Sequence, residues 1–171
     1  LIRLRTEAAA LFEKPPHQVM EKFCADPPPL SGRGMVACAE AKVGTAQAQA
    51  NWVHQGWIQG DFTEDEEQRI LAAYGTTLKP ADHQARLTRL LYENKVSAAK
   101  RMLPRVGESE RRIATVRMAF IAGDKSAPRQ LDKLSTRERH DAGVAPFREL
   151  WMLAKMTDAE AWRLAQVQSL S

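Results

Sequence analysis

The densest cluster of reactive side chains in this sequence is acidic: Asp61, Glu64, Asp65, Glu66 and Glu67 fall within one short stretch. Paired carboxylates can cleave a glycosidic bond when one is held protonated in a sheltered cleft and the other acts as base or nucleophile. Here Thr63 and Glu66 form a capping box, so the cluster opens a helix whose positive dipole end favours negative charge. That role accounts for every member, and it places them on a crowded, solvent-facing cap.

The basic residues Arg86, Arg89, Lys95, Lys100, Arg101 and Arg105 form the second concentration. Helical spacing predicts them along the exposed sides of one hairpin, where they can touch an anionic polymer. Arg86, Arg89 and Arg101 are the candidate substrate-binding residues; a plain solvated face is the competing reading.

The remaining reactive groups are isolated. His83 lies one turn before Leu87 on a core-rich helix, where packing or hydrogen bonding outweighs acid–base work. Cys24 and Cys38 show no CxxC spacing and no zinc pattern with His17, His54, His83 or His140. They fall in two predicted helices of one pair, so a disulfide is open beside the slightly favoured reading of two buried thiols. Gly32-Arg33-Gly34 follows a proline run and reads as loop flexibility. No HExxH, GxSxG, P-loop or GxGxxG occurs, so no catalytic residue, metal ligand or cofactor is assigned.

The elements that must position these residues are helical. Apolar residues recur at three- and four-residue spacing, and no run alternates with period two for long. In the N-terminal third, helices are expected near Leu4–Glu13, Pro16–Ala25 and Arg33–Lys42, with Pro27-Pro28-Pro29 as a break. Gly44 closes the last of these and Thr45 caps the next, which runs to Gly60. The helix after Thr63 carries Ile70, Leu71 and Tyr74 and ends at Gly75. Pro80 opens another at its first position, with stripe Leu87, Leu90 and Leu91 and a left-handed stop at Asn94.

A short helix bearing Ala98, Ala99, Met102 and Leu103 stops at Pro104. The turn at Asn94 is expected to fold it onto the preceding helix, so that Leu87, Leu90 and Leu91 meet Ala99, Met102 and Leu103. The longest helix spans about Glu108–Ile121, buries Ile113, Val116 and Phe120, and ends at Gly123. Capping boxes at Ser135/Glu138 and Thr157/Glu160 mark further starts, the second after a helix with Phe147, Leu150, Trp151 and Leu153. About ten helices with short turns predict an all-α fold, a solenoid-like α-superhelix of antiparallel hairpins over residues 1–171.

The chain begins Leu1-Ile2-Arg3 inside a helical pattern, which reads as a cut piece, either a mature protein missing its leader or a segment of a longer polypeptide. Hydrophobic content of 44% and charged content of 27% exclude disorder. The balance of 25 Lys+Arg against 21 Asp+Glu is mildly basic, and its scatter argues against a nucleic-acid groove. No apolar run approaches the ~20 residues that span a bilayer.

One stretch resembles a known family. Trp57-Ile58-Gln59-Gly60-Asp61-Phe62-Thr63 with Glu66 and Glu67, then Leu78-Lys79-Pro80-Ala81-Asp82-His83, resembles the helical superhelix of soluble lytic transglycosylases. Arg86-Leu87-Thr88-Arg89-Leu90-Leu91-Tyr92-Glu93 and Ala98-Ala99-Lys100-Arg101-Met102-Leu103-Pro104 follow in the same order. Lys79 departs from the small hydroxyl residue expected before Pro80.

The resemblance implies a bacterial periplasmic enzyme that cleaves peptidoglycan glycan strands to 1,6-anhydromuramic ends. It also implies that the catalytic glutamate lies in a separate lysozyme-like domain, in a Glu-Ser context followed by Gly-Leu-Met-Gln. Glu108-Ser109 is followed by Glu110-Arg111 and no Gly-Leu-Met-Gln occurs, so no catalytic residue carries over. The chain is then expected to be non-catalytic scaffold, its partners peptidoglycan glycan strands and the catalytic domain of the same parent chain. A free-standing helical-repeat adaptor for a protein or peptide is the alternative, with a basic nucleic-acid binder third.

Overall fold

The computed structural model describes residues 6, 9, 10, 13, 15–25 and 27–141, and these are all-helical, with no strand among them. Nine α-helices occur in the described residues: α1 His17–Ala25, α2 Gly32–Glu40, α3 Ala46–Gln59, α4 Glu64–Tyr74, α5 Pro80–Tyr92, α6 Val96–Met102, α7 Glu108–Ile121, α8 Ala127–Asp132 and α9 Thr136–Asp141. A 3-10 turn, Leu103–Arg105, carries the chain from α6 toward α7 through Pro104. The helices expected around Phe147 and after Thr157 lie outside the described residues, as does most of Leu4–Glu13. No described helix is long and apolar enough to cross a membrane.

The chain, read from sequence as one continuous segment, divides into two compact units, Leu1–Glu93 and Asn94–Ser171. In the first, α3 packs against both α2 and α5, so its partners are not only its neighbours in sequence. In the second, α7 packs against α6, α8 and α9. Each of these two central helices is 14 residues long.

The caps follow from local chemistry. Thr45, Thr63 and Ser135 each accept a backbone N–H of the helix they precede. Asn94 and Gly123 take left-handed conformations, φ 57° and 67°, where helices α5 and α7 stop. The end of α2 departs from expectation. Lys42, at φ 54°, is the left-handed residue, with Lys42 N–H bonded to the Ala39 carbonyl and Val43 N–H to that of Cys38. Gly44 is also left-handed, two residues further on.

Gly32-Arg33-Gly34 is not a flexible loop. Ser31 caps it by accepting from Gly34 N–H, and the triplet forms the first turn of α2. Its glycine serves packing: a Cβ on Gly32 would collide with the backbone of Gly60 and the Gly56 carbonyl. Helices α2 and α3 therefore approach backbone to backbone.

The core of the first unit includes Val36, Val53, Trp57, Ile70 and Leu90, each almost or wholly inaccessible. Cys24 and Cys38, buried as expected, are joined in a disulfide rather than left as thiols, with Cα atoms 5.9 Å apart. This bond fastens α1 to α2. In the second unit Val116, Leu131 and Leu134 cluster with Ile113 and Phe120. Leu87, Leu91, Ala99 and Met102 are buried as well, while Leu103 is half-buried.

Candidate functional site

The polar residues singled out from sequence converge where α3 ends and α4 begins. Gly60 ends α3 in extended conformation, and the chain turns through Asp61 and Phe62 to the Thr63 cap. The turn leaves carbonyl groups of Trp57, Ile58 and Gly60 without helical partners, as every helix C-terminus does. Arginines of α5 fill them. Arg86 Nη1 donates to the carbonyls of Trp57 and Gly60, both at 2.6 Å. Arg89 donates to those of Ile58 at 2.7 Å and Gly60 at 3.0 Å.

Arg86 was expected on an exposed side and is instead wholly buried, at 0% exposure. Its Nη2 donates to Glu67 at 2.6 Å, and its guanidinium lies over the rings of Trp57 and Phe62. Burial pulls this guanidinium below its ordinary value, while the bond and charge of Glu67 push back. The helical stripe explains the placement. Leu87, Leu90 and Leu91 turn inward, and Arg86 shares their side of α5.

Arg89 is half-buried and also bonds Asp61 at 3.1 Å and Glu93 at 2.7 Å. Arg101 is half-buried in α6, in the other unit. Of the remaining cations of the basic stretch, Lys100 and Arg105 are exposed and Lys95 is half-buried.

The acidic cluster also departs from its expected exposure. Asp61, Glu64 and Asp65 face solvent, but Glu66 and Glu67 are buried, at 3% and 4% exposure. Glu66 completes the capping box by accepting from Thr63 N–H at 2.6 Å. It also takes both arms of Arg33, from Nε at 3.0 Å and Nη2 at 2.8 Å, a planar two-bond pairing. Desolvation raises its pKa, yet the Arg33 and Thr63 bonds outweigh this and hold the carboxyl below its ordinary value. Arg33 is raised correspondingly, chiefly by its bond to Glu66. A carboxyl so held is an anion at neutral pH, the wrong state for a general acid.

His83 has the hydrogen-bonded packing role expected of it: Trp57 Nε1 donates to its Nδ1 at 3.2 Å. His54, which sequence reasoning did not single out, pairs with Asp82 at 2.7 Å. Asp82 accepts in turn from Lys79 N–H at 2.7 Å, so it caps α5 as well as facing a histidine of α3. The departure at Lys79 therefore leaves the helix start intact.

The second unit repeats the device. Glu138 accepts from Ser135 N–H at 2.8 Å, from Ser109 and from Arg112 Nε at 2.9 Å, and is 3% exposed. The Ser135 bonds lead in lowering its pKa, with Arg112 and Ser109 adding to them, to about 2. Ser109, set aside with Glu108 in the sequence, thus serves a cap. Among the described residues no group of three or more His, Cys, Asp or Glu is placed to hold a metal.

No protein-family model, no characterised protein and no solved structure matches the chain.

Proposed function

We propose that the chain is a non-catalytic scaffold segment of a periplasmic peptidoglycan lytic transglycosylase. In this reading its helix hairpins stack into a curved superhelix that positions glycan strands for a lysozyme-like catalytic domain. The observation that carries it is the coincidence of the resemblance with one partly buried set of polar contacts. Trp57, Gly60, Asp61, Phe62, Thr63, Glu66, Glu67, Arg86 and Arg89 carry the sequence likeness, and all take part in the α3–α4 turn and its arginine clamps. Side chains tied up in such hydrogen bonds serve architecture rather than catalysis. The Cys24–Cys38 disulfide supports the compartment, since such bonds persist in oxidising surroundings such as the periplasm.

The test uses the 171-residue chain and purified insoluble peptidoglycan. The chain should release no anhydro-muropeptides and should co-sediment with the polymer at low salt, less so as salt is added. Turnover abolished by changing one of its own glutamates would overturn the scaffold reading. Absence of co-sedimentation at low salt would favour the helical adaptor instead.

A further inference from the structure

We draw no further inference here: the strongest candidate, the cavity of about 270 Å³ in the first unit lined by Met20, Ala37, Glu40, Ala41 and Tyr74, carries nothing, because the Glu40 carboxylate already faces Arg69 at 3.7 Å and nothing in the structure shows what would occupy the space.

Discussion

Arg86 engages Trp57 twice: its guanidinium lies 4.5 Å from the centre of the indole ring, and its Nη1 donates to the same residue's carbonyl. The cation therefore sits between a π face and a helix C-terminus, two features that attract positive charge. Glu67 supplies the full counter-charge, with a side chain only 5% exposed.

Removing that counter-charge should be costly. Glu67→Ala leaves Arg86 charged and buried, and should cost about 3–5 kcal/mol in urea unfolding. Replacing both partners, as Glu67→Leu with Arg86→Met, should recover much of that loss, less what the Trp57 and Gly60 carbonyls forfeit. A single-variant loss under about 1 kcal/mol would mean that water reaches Arg86.

Acid should weaken the fold through its capping glutamates. Glu138 titrates near 2 instead of its ordinary 4.5, and Glu66 is lowered in the same sense. A depressed carboxyl contributes stability that is complete above the unfolded value and is lost as pH falls toward the folded one. Melting temperature should therefore drop between about pH 4.5 and 2, and Glu138→Gln should be less sensitive across that window. An identical acid response in parent and variant would remove Glu138 from the account.

Gly32 sets two effects against each other. Alanine is better than glycine in a helix by about 1 kcal/mol. At this position its Cβ meets the backbone of Gly60, which cannot rotate away, and overpacking costs about 1–3 kcal/mol. Gly32→Ala should thus destabilise on balance. A raised denaturation midpoint would show that α2 and α3 can separate at little cost.

The disulfide closes a loop with a sequence separation of 14. Loop-closure entropy for that length is worth about 3 kcal/mol. Reduction, or Cys24→Ser with Cys38→Ser, should lower stability by about 2–4 kcal/mol. The unreduced, unfolded chain should show no free thiol with a thiol reagent.

What the sequence made legible was local. Thr63 with Glu66, Ser135 with Glu138, and the stop at Asn94 each depend on residues within a few positions of one another. All three formed as read. What it concealed depends on distance. Arg33 and Glu66 are 33 residues apart, and Arg86 and Glu67 are 19 apart. No periodicity announces that a charge on an amphipathic helix will find a buried partner. The one available hint was that Arg86 adjoins Leu87, Leu90 and Leu91 on a stripe already assigned to the core. The glycines of Gly32-Arg33-Gly34 misled for a related reason. Their composition resembles a loop, and only the closeness of α3 reveals why a side chain is excluded.

The bond from Trp57 to His83 has a consequence for observing the molecule. Because Nδ1 of His83 accepts, its ring proton resides on Nε2, and the indole N–H of a fully buried tryptophan is held away from water. That single proton is a built-in gauge of the Leu1–Glu93 unit. In a proton NMR spectrum it should give a sharp indole resonance that outlasts solvent exchange while the unit is closed. The resonance should vanish when the unit opens, so the state of α3 can be followed without attaching any label.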